Sequence, residues 1–180
     1  RGRRPMLKPL PVGIQSFPKL REKGYVYVDK TRLIHRLITE GEVYFLSRPR
    51  RFGKSLLVST LATLFSGRRE LFKGLWIYDA DYDWKAYPVI HIDLSTTGVE
   101  TAAELKEVLS LEMRIVAERY EVELRTNRYN WMFRELLERL GRKEQVVVLV
   151  DEYDKPLIDN ILNLEEARRI RDVLRNFYII

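Results

Sequence analysis

A short run of glycine, lysine and serine in the first third of the chain has the composition of a loop that binds phosphate. Gly53, Lys54 and Ser55 match the last three fixed positions of the pattern G-x-x-x-x-G-K-[ST]. The main-chain N–H groups of such a loop point toward an anion, and the helix that follows adds its positive end. We predict a phosphate site here, in which Lys54 reaches the β and γ phosphates and the Ser55 hydroxyl binds Mg²⁺. The alternative is a helix capped by a Gly-Lys-Ser turn.

The residues before this triplet form a strongly basic loop. Arg48 stands where the pattern usually has its first glycine, so the match is imperfect. The loop arginines are candidates for phosphate contacts, and ordinary solvated side chains are the alternative. The candidate phosphate-loop residues are Arg48, Pro49, Arg50, Arg51, Phe52, Gly53, Lys54, Ser55 and Leu56.

Two carboxylates follow an almost purely aliphatic run later in the chain. Gln145 to Val150 has the composition of a buried strand, and Asp151 and Glu152 come directly after it. Open α/β sheets bind ligands at the carboxyl ends of their strands. Asp151 is therefore a candidate Mg²⁺ ligand, and Glu152 is a candidate for orienting an attacking water. With Lys54, Glu152 is a candidate catalytic residue, the alternative being a surface turn after a strand.

The elements that must position these residues alternate between strands and helices. The predicted strands are Tyr25–Val28, Val43–Leu46, Pro88–Leu94 and Gln145–Val150. The predicted helices span about 30–39, 54–66, 101–120 and 129–140, with a further helical stretch around Leu174. Apolar strands that alternate with helices indicate an α/β fold, with a mostly parallel sheet flanked by helices. We expect an irregular, proline-containing lead-in at 1–24 and one domain over 25–180.

The composition excludes several other classes of protein. The 180 residues include no cysteine and only two histidines, which excludes disulfide scaffolds and thiolate metal sites and disfavours zinc chemistry. No apolar run approaches the ~18 residues of a membrane span, so we expect a cytoplasmic protein without a membrane partner. The net charge of +6 favours an anionic partner without specifying which one.

Taken together, the motifs resemble those of the predicted AAA-ATPase-like P-loop proteins, many of which carry a PD-(D/E)XK nuclease-like domain after the ATPase. The likeness rests on segments spread over nearly the whole chain: 11–13, Phe17, 25–31, 47–55, 88–95 and 148–156. The arginine in place of the first glycine looks like the family's own variant of the loop. The resemblance implies a P-loop NTPase fold, ATP and Mg²⁺ as ligands, and ATP hydrolysis coupled to an unknown process.

The resemblance also adds one candidate ligand residue and one class of partner. Asp29, with its neighbours Lys30 and Thr31, is implied to approach the nucleotide, although a plain helix cap explains Asp29 as well. Asp93, near the end of the second apolar strand, is a candidate for supporting the site from its edge. A fused or associated nuclease-like domain would make nucleic acid a partner. The oligomeric state stays open.

Two other functions remain open at this point. One is a nucleotide switch that binds ATP without hydrolysing it. The other is a nucleic-acid-processing module, suggested by the basic charge and by Asp93 followed by Glu104-Leu105-Lys106, which imitates a nuclease pattern.

P-loop ATPases of this kind also place a further strand, with a polar sensor residue, beside the strand that ends in the acid pair. No such strand follows the helical stretch around Leu174, so either the sequence is part of a longer protein, which we favour, or the sheet is built unusually.

Overall fold

The computed structural model describes residues 8–47, 52–95 and 98–179. It divides the chain into two compact units, Arg1–Ala86 and Tyr87–Ile180, which we call the N-terminal and C-terminal units. The N-terminal unit contains α1 (Phe17–Glu22), α2 (Thr31–Glu40), α3 (Lys54–Phe65) and two 3-10 turns, Arg69–Phe72 and Trp76–Tyr78. The C-terminal unit contains β1 (Val89–Asp93), α4 (Ala102–Arg119), α5 (Tyr129–Gly141), β2 (Val147–Asp151), α6 (Lys155–Asp159) and α7 (Leu164–Tyr178).

The N-terminal unit is organised around a small aromatic and aliphatic core. Phe17, Leu20, Leu64 and Phe72 are fully buried, and the Phe17 and Phe72 rings lie 4.7 Å apart between centroids. The main-chain N–H of Phe17 donates to Ser59 Oγ at 2.9 Å, which ties α1 to α3. The helix that follows the phosphate loop is therefore anchored along its buried side.

Helix α1 lies inside the segment that we expected to be irregular. Pro18 falls in its first turn, where the missing N–H has no intrahelical acceptor and proline is tolerated. The Ser16 hydroxyl caps the helix by accepting a hydrogen bond from the Lys19 N–H. Pro156 plays the same part at the start of α6, a second short helix that the sequence did not predict. Pro18 and Pro156 thus each lie in the first turn of a short helix.

The strands predicted at Tyr25–Val28 and Val43–Leu46 are wrong. Neither run forms a strand, and Val43 is 92% exposed. The first run makes only isolated contacts, such as the Val26 N–H donating to the Pro9 carbonyl at 3.0 Å. Valine and aromatic residues favour strands only where a neighbouring strand offers a ladder and a packing surface. The part of the N-terminal unit that the structure describes offers no strand partner to either run.

The C-terminal unit contains the predicted parallel pair. Strands β1 and β2 run in parallel with Val89 opposite Val147 and Asp93 opposite Asp151. Ile92 of β1 is fully buried in one core with residues of α4, α5 and α7. The long amphipathic helices α4, α5 and α7 lie where their 3.6-residue periodicity predicts them, because each buries one apolar stripe in this core. The structure thus shows a helix-rich α/β arrangement with a small parallel sheet.

The two edges of this sheet differ. At the outer edge of β1, the Val89 N–H donates to the Tyr120 hydroxyl at 2.7 Å, and this hydroxyl lies 3.3 Å from the Val89 carbonyl oxygen. In β2, Val147 and Asp151 bond toward β1, so the intervening Val148 directs its N–H and C=O to the other edge. Val148 is 38% exposed, and no strand among the described residues pairs there. The β1 edge is therefore hydrogen-bonded to Tyr120 at Val89 and closed there, whereas the β2 edge is open, with no strand partner among the described residues.

Within the described ranges, every helix is too short or too polar to cross a lipid bilayer.

Candidate functional site

The end of the predicted phosphate loop has the backbone conformation that the motif requires. Gly53 has φ +78° and ψ +21°, in the left-handed region, and α3 begins at the next residue. A side chain in this conformation would cost about 1 kcal/mol or more, which explains the glycine. The Gly53 carbonyl accepts the first helical hydrogen bond from the Leu57 N–H at 3.0 Å. The N–H groups of the first turn have no intrahelical acceptor and give this end of α3 a partial positive charge.

The side chains of this turn suit an anion. Lys54, Ser55 and Leu56 are half-buried, and Phe52 is exposed. None of the carboxylates in the described ranges forms an ion pair with Lys54. An ammonium beside free N–H groups at a helix N-terminus can bind a phosphate. The remaining loop candidates, Arg48, Pro49, Arg50 and Arg51, lie outside the described residues.

Buried contacts of helix α3 fix the position of the loop end. Thr60 is fully buried, and its hydroxyl donates to the Leu56 carbonyl at 2.7 Å. Tyr27 hydrogen-bonds to the same threonine, and burial raises the pKa of Tyr27 despite that contact. Leu61 and Leu64 of the same helix are buried in the core of the unit. The loop end is therefore supported from the segment around Asp29 and from the core.

Asp29 accepts hydrogen bonds from two separate segments. Its Oδ1 accepts the Thr31 N–H at 2.8 Å and the Thr31 hydroxyl at 2.7 Å, and its Oδ2 accepts the Trp76 N–H at 2.7 Å. The Thr31 hydroxyl in turn accepts the Ile77 N–H at 3.1 Å. Burial by itself would raise the pKa of Asp29, but these hydrogen bonds outweigh it and lower the pKa. Asp29 thus links the start of α2 at Thr31 to the turn at Trp76. Its role in nucleotide binding stays a prediction.

The acid pair lies where β2 ends. Asp151 is the last residue of the strand and is 6% exposed, and its Oδ1 accepts the Glu152 N–H at 3.0 Å. Glu152 has φ +52°, a left-handed conformation that is costly for a residue with a side chain. Such strain often marks functional sites, where the surrounding structure maintains it.

A third carboxylate stands beside this pair. Asp93 ends β1 directly opposite Asp151 in the parallel register, and its Oδ1 accepts the Ser95 N–H at 2.8 Å. The predicted placement of Asp93 at the carboxyl edge of the sheet is thus confirmed. Within the C-terminal unit, the structure brings Asp93, Asp151 and Glu152 to one edge of the sheet.

Two further titratable groups surround these acids, and the sequence did not point to them. Burial lowers the pKa of His91 and Arg119 adds to this, while Asp93 and Asp151 oppose it. Its buried Nε2 has no hydrogen-bond partner among the described residues. Burial and the charge of Asp93 raise the pKa of Glu112 on α4, against the effect of Arg119. The two-residue spacing of His91 and Asp93 on a strand was the available signal, because it puts both on one face.

The donor set suits one kind of metal ion. No group of three or more histidine, cysteine or acidic side chains in the described ranges is arranged to hold a metal. A fully protein-built metal centre is therefore not present in those ranges. Magnesium in phosphate-transfer sites takes one or two carboxylates and completes its shell with waters and substrate phosphates. The Asp151 carboxylate is a donor of that kind.

The segment that imitates a nuclease pattern has a structural role. Glu104 lies in the first turn of α4, and its Oε2 accepts the N–H groups of Glu100 at 2.8 Å and of Thr101 at 3.3 Å. The Thr101 hydroxyl accepts the Glu104 N–H, which completes a capping box. A helix cap accounts for Glu104, whereas the nuclease pattern would need it on a strand.

Comparison with known proteins supplies the family. The model of the family described as Predicted AAA-ATPase matches residues 11–180. A curated relative, the "Uncharacterized protein in vnfD 5'region" of Azotobacter chroococcum mcd 1, is 44% identical over 177 residues. The match covers 96% of this chain and 34% of the relative, so the chain spans about a third of that protein's length. No solved structure matches. The chain belongs to the predicted AAA-ATPase family.

Proposed function

We propose that this member of the predicted AAA-ATPase family binds Mg-ATP and hydrolyses it. The observation that carries the proposal is the left-handed Gly53, which ends the loop and opens α3 at Lys54 with free N–H groups. The ordered succession of loop, helix and strand-end acids adds to it. Family membership suggests nucleotide binding in general, and the side chains suggest the roles below.

The phosphates of ATP bind the first turn of α3 in this proposal. The N–H groups after Gly53 donate to phosphate oxygens, and Lys54 places its ammonium near the β and γ phosphates. Lys54 thereby also offsets the charge that develops during transfer, which makes it a catalytic residue. The loop residues Arg48 to Phe52 and Leu56 complete the binding segment.

Ser55 and Asp151 would hold Mg²⁺, directly or through its waters. The bound ion would neutralise charge on the β and γ phosphates. Asp151 keeps its carboxylate at the strand end because the main chain of β2 is bonded on one side to β1. Its near-complete burial limits the number of conformations it adopts.

Glu152 orients and polarises the water that attacks the γ-phosphate. Its strained backbone fixes where the side chain leaves the chain, as a positioned base requires. No described residue hydrogen-bonds to its carboxylate, so the carboxylate is available to water. If Glu152 did not activate water, the protein would bind ATP without hydrolysing it. That protein is the nucleotide switch considered above.

The fold in this proposal is a P-loop NTPase with a mostly parallel sheet flanked by helices. The parallel pairing of β1 and β2 supports it, and the open edge of β2 supports the expectation of a further strand. We expect the protein to act in the cytoplasm. A nucleic-acid partner of a nuclease-like domain and the process coupled to hydrolysis stay predictions.

The decisive test is ATP binding by the full-length protein with Lys54 replaced. Lys54→Ala removes the cation nearest the β and γ phosphates, so the affinity for Mg-ATP should fall at least roughly tenfold, about 1.4 kcal/mol. Isothermal titration or a fluorescent ATP analogue measures this. Lys19→Ala, which removes an exposed lysine of the same unit, should leave the affinity unchanged. Equal affinities in wild type and a folded Lys54→Ala variant would exclude this phosphate loop.

A further inference from the structure

A tryptophan and two arginines are exposed at the start of α5. Trp131 is 49% exposed, and Arg134 follows it by three residues, so that the two are neighbours on the helix surface. Arg128 is the exposed N-cap residue, which precedes the helix with an extended backbone. The Arg134 guanidinium lies 5.9 Å from the centre of the Trp131 ring. A large apolar ring and two cations therefore face solvent together, which a core-packing role does not explain.

This face continues into a groove between α5 and α7. The groove has a volume of about 210 Å³ and is lined by Asn130, Trp131, Arg134, Asn176 and Ile179. The side-chain oxygen of Asn130 is buried and has no hydrogen-bond partner among the described residues. A buried acceptor without a partner is costly, so a donor from a bound molecule would be favoured there. The groove thus combines an apolar ring with unmet hydrogen-bonding capacity.

The charge of this face is available to a partner. Arg134 pairs with Glu138 at 3.1 Å, but both side chains are more than half exposed. Exposed ion pairs of this kind contribute only about 0 to 1 kcal/mol, so a phosphate can replace Glu138 at little cost. Among the described ion pairs, none involves Arg128 or Arg175, which precedes the groove residue Asn176. The groove therefore favours an anionic partner.

The helices beneath the face are firmly packed. The Phe133 and Phe177 rings stack at 4.5 Å, and Tyr129 stacks on Phe177 at 6.3 Å. The Tyr129 hydroxyl donates to the Val173 carbonyl at 3.4 Å. These contacts fix α5 against α7, so the groove is formed before any partner binds. Binding to a preformed surface avoids most of the ordering cost.

We propose that this face binds single-stranded nucleic acid. An unpaired base stacks on Trp131, while Arg128 and Arg134 contact the neighbouring phosphates. Alternation of aromatic and basic side chains is how proteins hold single strands without reading their sequence. A duplex does not offer an unstacked base to the indole, and an apolar protein partner would leave the arginines without counter-charges. The chemistry of the face therefore favours a polyanion whose bases are unpaired, as in single-stranded nucleic acid.

The test uses the full-length protein without nucleotide and a fluorescein-labelled oligothymidylate or oligouridylate. Anisotropy titrations at low salt should show that Trp131→Ala weakens binding about 5- to 100-fold, the range expected for loss of one stacked base. Trp131→Phe should retain most of the affinity, since a phenyl ring also stacks. Trp76→Ala is the matched control, because Trp76 is 44% exposed in the other unit.

The arginines give an independent measurement that does not depend on Trp131. Arg128→Ala and Arg134→Ala should each reduce the slope of log affinity against log salt by about one. The proposal is overturned if wild type binds neither oligonucleotide at low salt, or if all variants bind like wild type. It is equally overturned if Trp131→Ala changes the sedimentation of the protein and leaves oligonucleotide affinity intact, which would assign the face to a protein partner.

Discussion

Two acidic positions that the sequence nominates for one site, Asp29 and the Asp151–Glu152 pair, have different environments. The oxygens of Asp29 accept three hydrogen bonds from Thr31 and Trp76 of its own unit. At the acid pair, the only side-chain hydrogen bond in the described ranges is the one from the Glu152 N–H to Asp151. Asp29 stabilises the fold around it, whereas the strand-end acids keep most of their lone pairs for other partners.

The difference shows how structural and chemical carboxylates can be told apart. A carboxylate whose acceptor capacity is used by main-chain N–H groups holds segments together. A carboxylate held by its strand, in a strained turn and with open lone pairs, is prepared for water or metal. We therefore expect substitutions at Asp29 to change stability first, and substitutions at Glu152 to change chemistry first.

The largest expected effect is on hydrolysis. Glu152→Gln keeps the shape of the side chain and loses its basicity, so phosphate release should fall about 10² to 10⁴-fold, roughly 3 to 5 kcal/mol. ATP affinity should stay within about twofold of the wild-type value, because Glu152 is assigned to the attacking water. A larger loss of affinity would indicate instead that Glu152 contacts bound ATP before the reaction. Steady-state phosphate release and ATP titration of the full-length protein measure both quantities.

Two outcomes would contradict this assignment. Equal hydrolysis rates in wild type and Glu152→Gln protein would remove Glu152 as the base. No hydrolysis by wild type under any condition would favour the nucleotide switch. Glu107→Gln, at an exposed position of α4, is the control for a neutralised glutamate.

A smaller effect is expected at Asp29. Asp29→Ala removes the acceptors of three hydrogen bonds and leaves the buried Thr31 hydroxyl without one of its partners. The free energy of unfolding should fall by about 1 to 3 kcal/mol. Urea denaturation measures this, with Asp79→Ala as the control for an exposed aspartate of the same unit. A folded Asp29→Ala protein with normal stability and weakened ATP binding would instead make Asp29 a nucleotide ligand.

The smallest effect is a pH dependence of the same position. Because the pKa of Asp29 is lowered in the folded protein, its charged form contributes stability above the unfolded pKa of about 3.9. That contribution is lost as the pH falls through the lowered value. The stability difference between wild type and Asp29→Asn should therefore be constant near neutral pH and shrink in acid. Denaturation curves at several pH values test this, and a difference that grew in acid would reverse the assigned sign.

The comparison of two strand-prone runs shows how far sequence alone reached. Val43–Leu46 and Gln145–Val150 are both short and strongly apolar, and both were predicted as strands. The second forms β2, because β1 lies beside it with a matching register. The first does not form a strand, since strand formation depends on a partner that composition cannot supply. The long helices were predicted well because their hydrogen bonds lie within the segment, whereas the short helices α1 and α6 were missed.

The candidate site divides in the same way. The Gly53-Lys54-Ser55 triplet was recognisable because a left-handed glycine before a helix is a local requirement. The edge position of Asp93 and Asp151 followed from strand direction. His91 and Glu112 were missed because their pKa shifts come from burial and from charges on other elements, which are distant in sequence.

The sequence by itself determined the local features of this protein: the glycine that opens α3, the periodic helices and the aliphatic run that precedes two acids. Each depends on interactions within about four residues along the chain, such as helix hydrogen bonds, caps and alternating faces. Tertiary structure alone decided which strand-prone run pairs, which edge of the sheet is closed, and whether Asp29 holds segments together. Those outcomes depend on hydrogen-bond and packing partners that folding brings from far along the chain, as with Asp29 and Trp76.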